Sequence, residues 1–198
     1  MFDFLLTTLL VYKYTLLFAV SFLAALALPL PSSLLLAASG AFAAQGYMNI
    51  SEVLGVAFLG NVGADVLGYV LAKRYGALLI ERVGLGQLLH LRIYHMLETW
   101  MRQFPQLLVF TTRFITEIGP AVNILAGLTR IPLRTFLIAD FVGEACYVLL
   151  FGLTGYFLGD AWQNNTGFLW KGAGVIVSFG VVVAVFQLIL RKRQLRIV

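Results

Sequence analysis

Residues 14–44 include no charged side chain, yet Pro29 and Pro31 interrupt this run near its middle. A hydrocarbon core about 30 Å thick takes about 20 residues of helix, so the run is too long for one crossing and too short for two. Proline removes a helical hydrogen bond and clashes with the preceding turn, so the helix must break here. We predict one crossing over residues 12–28 and then a short helix, Ser32–Ala44, that enters the membrane without crossing it.

The composition places the whole chain in a bilayer. Of its 198 residues, 61% are hydrophobic and 12% are charged, against about 45–50% and about 25% in a soluble domain. Residues 52–72, 136–158 and 172–190 are apolar segments long enough to cross the membrane. The chain is therefore predicted to be a single membrane domain over residues 1–198, without a separate soluble domain.

Residues 80–102 follow a different pattern, with apolar residues at helical spacing and polar or basic residues between them. This pattern predicts an amphipathic helix that lies on the membrane surface. The apolar segment that follows, residues 104–127, is interrupted by Gly119 and Pro120, and each half is too short to span. It is therefore predicted to form a second pair of short helices.

Most of the lysines and arginines are expected to lie on the cytoplasmic side, with Lys171 in an outer loop over residues 160–171. This arrangement requires residues 104–127 to enter the membrane from the cytoplasmic side and return to it. It also requires residues 29–45 to enter from the opposite side and return there. The predicted fold is an all-α polytopic membrane protein with about four transmembrane helices and two re-entrant helical hairpins in an inverted-repeat arrangement. The amphipathic surface helix and both termini are then cytoplasmic. A Val-Gly pair recurs at 62–63 and 142–143, as a repeat would require.

Ionisable residues inside these apolar segments are the candidate functional groups, because charge is costly in a membrane. Arg113 lies in the second hairpin, where a broken helix exposes N–H groups that favour an anion, so we assign it to a phosphate. The structural alternative is that its side chain snorkels outward. Asp65, Glu117 and Glu144 are candidates for proton coupling or gating, although Glu117, one turn from Arg113, can instead neutralise it. Asp140 is interpretable as a residue at the membrane surface.

Several classes of function lack their sequence signatures. No G-x-S-x-G elbow, H-E-x-x-H pair, P-loop or acidic cluster for phosphoryl chemistry occurs, so we do not expect an enzyme. The single cysteine and the spacing of His90 and His95 suit no metal site, so no metal or cofactor is expected. A net charge of +5 indicates basic interfacial patches rather than nucleic-acid binding.

A set of motifs resembles those of the DedA family, also called the SNARE-associated or VTT-domain family. The motifs are PLPSSLLL at 29–36, ASG at 38–40, QG at 45–46, GNVGADVLGY at 60–69, KRYG at 73–76, RFI at 113–115, AGLTRIP at 126–132 and GYFLG at 155–159. They occur in the family's order and spacing, and together they cover about residues 20–160 of this sequence.

The resemblance implies a membrane lipid translocase, either a flippase or a scramblase. Bacterial members are linked to the movement of undecaprenyl phosphate or phosphatidylethanolamine between leaflets, often tied to the proton-motive force. The implied partners are a membrane phospholipid or polyprenyl phosphate and protons, and the implied location is a bacterial inner membrane. The residues implied to hold the headgroup are Arg113, Pro31, Ser32, Ser33, Gly119 and Arg130. A small-anion transporter and a non-transporting membrane scaffold are the alternatives, and formation of a homodimer is left open.

The sequence departs from the family pattern at both hairpins. Family members usually carry an acid where Ser33 stands, a Pro-Gly pair where Thr116 and Glu117 stand, and a second arginine where Gly119 stands. We infer that the missing acid and arginine pair across the hairpins in other members, so that losing both leaves no unpaired charge. Glu117 is then interpretable as a relocated acid. These departures bear directly on proton coupling and on the choice of lipid.

Overall fold

The structure is a computed structural model that describes residues 2–76, 92–114 and 119–164. The described helices, in chain order, are α1 (Phe2–Ala25), α2 (Ser32–Ala44), α3 (Ile50–Tyr75), α4 (Arg92–Gln103), α5 (Pro105–Thr112), α6 (Gly119–Leu128) and α7 (Leu133–Asn164). The described connections contain turns and irregular segments but no strand, so the described part of the chain is all-helical, as the sequence predicts.

Helices α3 and α7 are the two described helices that are long and apolar enough to cross a membrane. They contain the predicted crossings at residues 52–72 and 136–158, which are confirmed as continuous helices. Asn49 caps α3, since its side-chain oxygen accepts a hydrogen bond of 2.9 Å from the Ser51 N–H. The predicted last crossing, residues 172–190, lies outside the described residues.

The first predicted crossing, residues 12–28, is wrong in its extent. Helix α1 is kinked at Lys13, where φ is 41° and ψ is −114°, and it ends at Ala25. Its apolar part, Val11–Ala25, is shorter than the about 20 residues that a crossing needs. The chain then turns through Ala27, whose φ is 83°, and enters α2 at the predicted bounds Ser32–Ala44. Helices α1 and α2 thus form one broken unit.

Helices α5 and α6 form a second broken unit. Helix α5 ends at Thr112 with Arg113 as its C-cap, and α6 already begins at Gly119. The break therefore precedes Gly119 and Pro120 rather than falling on them, because a proline fits the first turn of a helix, where its missing N–H breaks no hydrogen bond. Glu117 lies outside the described residues. The predicted surface helix, residues 80–102, is described only in part, as α4.

The two broken units pack on α3 and α7 in a reciprocal way. The first helix of each unit packs on the long helix that follows it, α1 on α3 and α5 on α7. The second helix packs on the other long helix, α2 on α7 and α6 on α3. The repeated Val-Gly pairs fit this exchange, since Gly63 faces Phe22 of α1 and Gly143 faces Phe110 of α5.

Glycines bring these helices into backbone contact. A Cβ atom at Gly155 of α7 would overlap the carbonyl group of Ala37 in α2, and one at Gly127 of α6 would overlap the carbonyl oxygen of Tyr69 in α3. Close approach through small residues is a main source of helix association in membranes, where apolar burial provides little driving force. The broken helices are therefore held tightly against the two long ones.

Buried apolar residues form two clusters, one at each end of the helix pair α3 and α7. The first cluster includes Val53 and Ala57 of α3 with Val148 of α7. The second includes Tyr69 of α3 with Phe136 of α7. On both long helices, the buried polar residues lie in the stretch between these clusters. The packing of the core therefore leaves a polar layer at the centre of the fold.

Candidate functional site

Three acids surround one arginine in this polar layer. Arg113 Nη1 lies 2.8 Å from Asp65 Oδ2 and 3.4 Å from Glu144 Oε1, and Nη2 lies 2.8 Å from Asp140 Oδ1. Each of these four side chains is at most 6% exposed. Three carboxylates around one guanidinium leave a formal charge of −2. We refer to Asp65, Arg113, Asp140 and Glu144 as the charge cluster.

Two buried asparagines add hydrogen bonds to the charge cluster. The Asn123 side chain accepts a hydrogen bond from Arg113 Nη2 and donates one to Asp65 Oδ1. The Asn61 amide donates a hydrogen bond of 2.7 Å to Glu144 Oε2. An amide both donates and accepts, so it can bridge a guanidinium and a carboxylate. The network joins α3, α6 and α7 to the end of α5.

Helical spacing explains why the acids converge. Asn61 and Asp65 are one turn apart on α3, and Asp140 and Glu144 are one turn apart on α7, so each pair shares one face of its helix. The two faces meet because both long helices are covered at their ends by the apolar clusters. The sequence thus sets each pair on one face, while the packing brings the two pairs together.

Arg113 reaches the acids from the end of α5. At the C-cap its positive charge lies at the negative end of the helix dipole, which is a favourable position for a cation. Its side chain crosses α7 at Gly143, where a Cβ atom would lie 2.8 Å from Arg113 Cγ. Gly143 therefore provides the space through which the guanidinium enters the charge cluster.

A cavity of about 610 Å³ opens beside the charge cluster, within the range of about 300–1,000 Å³ typical of small-molecule sites. Its walls come from the turn between α1 and α2, the end of α5 and the start of α6, and the facing sides of α3 and α7. Its polar lining residues are Ser32, Ser33, Asn61, Asp65, Thr112, Arg113, Glu144 and Tyr147. The two helix breaks, far apart in sequence, thus meet at one cavity.

Most of the residues predicted for headgroup binding line this cavity, namely Pro31, Ser32, Ser33, Arg113 and Gly119. Asp65 and Glu144, predicted for proton coupling, line it as well. Arg130 does not line the cavity, because it is an exposed residue in the turn after α6, with a φ of 53°. Ser33 and Gly119, the two positions that depart from the family pattern, share the cavity, and their pairing in other members stays a prediction.

Two structural alternatives from the sequence are wrong. Arg113 is only 5% exposed, so its side chain does not snorkel toward a membrane surface. Asp140 is fully buried and pairs with Arg113, so it is not an interfacial residue. Neither result could be predicted from the sequence, because the groups that pair with Arg113 lie on helices distant along the chain.

Sequence reasoning also missed Asn61, Asn123 and Tyr147 as residues of the site. Asn61 precedes Asp65 by one turn, and Tyr147 follows Glu144 by almost one turn, so proximity to a buried acid on the same helix face was an available signal. Asn123 is a buried amide within an apolar helix, and a buried polar group needs a partner. Among the described residues, no group of His, Cys, Asp and Glu is arranged to hold a metal ion.

Replacing Asn123 by leucine should destabilise the protein by about 1–3 kcal/mol, because Arg113 and Asp65 would each lose a buried hydrogen-bond partner. Thermal unfolding of the purified protein measures this loss. The matched control is Gln106→Leu, which removes an exposed amide from α5 and should leave the unfolding midpoint unchanged. Equal midpoints for the two variants would contradict the bridging role of Asn123.

The fold and the site together define a helical membrane protein with a charged cavity where two broken helices meet. Residues 30–157 match the VTT domain model. This match covers well over half of the 198 residues. The chain therefore belongs to the VTT-domain family, also called the DedA family. No solved structure matches it.

Curated relatives resemble the chain over most of its length. Undecaprenyl phosphate transporter A of Bacillus subtilis (strain 168) is 24% identical over 164 residues, covering 83% of each chain. An alkaline phosphatase-like protein of Lactococcus lactis subsp. cremoris is 25% identical, covering 82% of this chain and 78% of the relative. An uncharacterized membrane protein of Mycobacterium tuberculosis is 27% identical, covering 86% of this chain and 79% of the relative.

Proposed function

We propose that this protein is a membrane lipid translocase that carries a phosphate-bearing headgroup between leaflets through the cavity beside the charge cluster. The observation that carries the proposal is the meeting of two helix breaks at a charged cavity between two long apolar helices. Irregular backbone at membrane depth is tolerated where it lines a cavity. Translocation needs no covalent chemistry, in agreement with the transporter name of one relative.

The proposed topology makes each broken unit a re-entrant hairpin. The hairpins enter from opposite sides of the membrane, their tips meet near its centre, and α3 and α7 are crossings. The reciprocal packing of the two units supports this arrangement, because two inverted repeats exchange partners in this way. Lys73 and Arg74, in the last turn of α3, support a cytoplasmic position for that end of the helix in a bacterial inner membrane.

The proposed substrate is a polyprenyl phosphate such as undecaprenyl phosphate, with phosphatidylethanolamine as the second candidate. A relative of this chain carries the name undecaprenyl phosphate transporter. Arg113 is the cationic side chain that lines the cavity, and guanidinium groups bind phosphate through paired hydrogen bonds. Apolar residues of the hairpin tip, including Leu28 and Leu30, line the same cavity, which suits a headgroup joined to hydrocarbon better than a free anion.

Protons are proposed to accompany the headgroup. The charge cluster has a formal charge of −2, and a phosphate would add further negative charge in a buried site, where uncompensated charge is very costly. Protonation of a carboxyl group in the cluster removes this cost and frees part of the guanidinium for the phosphate. Asp65 and Glu144 line the cavity and are the proposed carriers, with Asp140 behind them.

Leaflet exchange in liposomes tests the proposed function. Purified protein should accelerate the exchange of labelled polyprenyl phosphate over that of protein-free liposomes, and more so with an imposed proton gradient. Labelled polyprenol, which has the same chain without the phosphate, is the matched control and should exchange at the protein-free rate. Exchange of neither polyprenyl phosphate nor phosphatidylethanolamine would reject the proposal and favour a small-anion transporter or a scaffold. Uptake of inorganic phosphate then separates those two.

A further inference from the structure

The hydroxyl group of Tyr147 is buried beside the cavity without a hydrogen-bond partner among the described residues. Tyr147 is 4% exposed. Its ring is held in place by the first apolar cluster and by Phe151, whose ring centre is 4.8 Å away. The ring alone accounts for this packing, so a phenylalanine would fill the same space. The hydroxyl group is the part of the side chain that takes no part in this apolar packing.

Two further hydroxyl groups lie at the same end of the cavity. Ser32 and Ser33 begin α2 and line the cavity. Both side chains lie near the Tyr147 hydroxyl, yet neither meets it with hydrogen-bond geometry. Glu144 is almost one turn away from Tyr147 on α7. This end of the cavity therefore carries uncharged hydroxyl groups next to the charge cluster.

A buried hydroxyl group without a partner destabilises a fold, so its presence favours a role in binding. Buried polar groups of this kind are satisfied by water or by a ligand. The hydroxyl groups of Tyr147, Ser32 and Ser33 can all donate, while a phosphate presents only acceptors when fully ionised. Such donors bind phosphate oxygens without adding charge to the membrane interior.

We propose that Tyr147, Ser32 and Ser33 form a hydroxyl subsite that donates hydrogen bonds to the phosphate oxygens of the headgroup. This inference rests on the proposed function and adds a second contact surface to Arg113. The acids around Arg113 repel a phosphate, so the phosphate is best stabilised where the neutral donors lie. The subsite therefore orients the headgroup toward α2, with its oxygens shared between the hydroxyl groups and the guanidinium.

The variant Tyr147→Phe tests the subsite, because it removes one oxygen atom and retains the ring. Binding of polyprenyl phosphate to the full-length protein in nanodiscs should weaken by about tenfold, the effect of one hydrogen bond to a charged group. Polyprenol binding and the thermal unfolding midpoint should not fall, since the hydroxyl group has no partner among the described residues. Tyr156→Phe is the matched control, because Tyr156 lies on the same helix but does not line the cavity.

The outcomes separate the subsite from the proposed function. If wild type and Tyr147→Phe bind polyprenyl phosphate equally, the subsite is wrong and the translocase proposal stands. If wild type binds no phosphate-bearing lipid, both are wrong. Inorganic phosphate is the second probe, used as a competitor of polyprenyl phosphate. If Tyr147→Phe weakens inorganic phosphate binding by the same factor as polyprenyl phosphate binding, the subsite recognises the phosphate group itself. A fall in polyprenol binding or in the unfolding midpoint would instead assign Tyr147 a structural role and overturn the inference.

Discussion

Replacing Arg113 by glutamine is expected to destabilise the protein by about 3–5 kcal/mol, because it leaves buried carboxylates without their cation. Arg113 contacts Asp65, Asp140 and Glu144, and its side chain is 2% exposed. The variant should therefore unfold at a clearly lower temperature and give less folded protein after purification. Thermal unfolding in detergent or nanodiscs measures the effect.

A rescue experiment separates charge from packing in this prediction. Adding Asp65→Asn to Arg113→Gln removes one of the uncompensated carboxylates and should recover part of the lost stability. The matched control is Arg102→Gln, because Arg102 pairs with Glu98 but is 63% exposed, and such surface pairs contribute about 0–1 kcal/mol. The account is contradicted if Arg113→Gln is as stable as Arg102→Gln, or if the second substitution lowers stability further.

Replacing Gly155 by alanine is expected to produce the second large effect. The new Cβ atom would overlap the backbone of Ala37, so α2 would have to move away from α7. Overpacking of this kind costs about 1–3 kcal/mol, and more where backbone meets backbone. Because α2 carries Ser32 and Ser33 at the cavity, lipid exchange should fall together with the thermal unfolding midpoint.

Gly55→Ala is the matched control for this substitution. A Cβ atom at Gly55 of α3 would meet no atom within 4 Å, and alanine favours a helix by about 0.8–1.0 kcal/mol over glycine. The control should therefore be as stable as wild type or slightly more stable. Similar unfolding midpoints for Gly155→Ala and Gly55→Ala would show that close contact between α2 and α7 does not hold the fold together.

The helices themselves could largely be predicted from the sequence. The bounds Ser32–Ala44 of α2 follow from a proline pair and an apolar run, and both long helices lie where apolar segments of sufficient length predict them. The end of α1 at Ala25 could not be predicted in this way. Proline shows that a helix must break, but α1 ends in a turn before the prolines, where Ala27 has a positive φ and the Leu28 N–H bonds back to the Leu23 carbonyl. A positive φ usually marks a glycine, and no glycine stands there to signal the turn.

The charge cluster could be predicted only in part. Arg113, Asp65 and Glu144 stand out because ionisable residues are rare in apolar segments. Their pairing depends on the exchange of partners between the broken units, which puts α5 on α7 and α6 on α3. No local spacing encodes that exchange. For the same reason, the sequence indicated an anion site at Arg113 without indicating the three carboxylates that already surround it.

The measurement that tests the central claim most directly is the exchange of labelled polyprenyl phosphate by Ser33→Trp in liposomes. Ser33 lines the cavity but belongs to no pair of the charge cluster, so a tryptophan there fills the cavity without removing a charge. Leu59→Trp, on an exposed position of α3, is the matched control. We expect exchange to fall to the protein-free rate in Ser33→Trp and to stay at the wild-type rate in Leu59→Trp, with similar unfolding midpoints. Wild-type exchange by a folded Ser33→Trp protein would show that the lipid headgroup does not pass through this cavity.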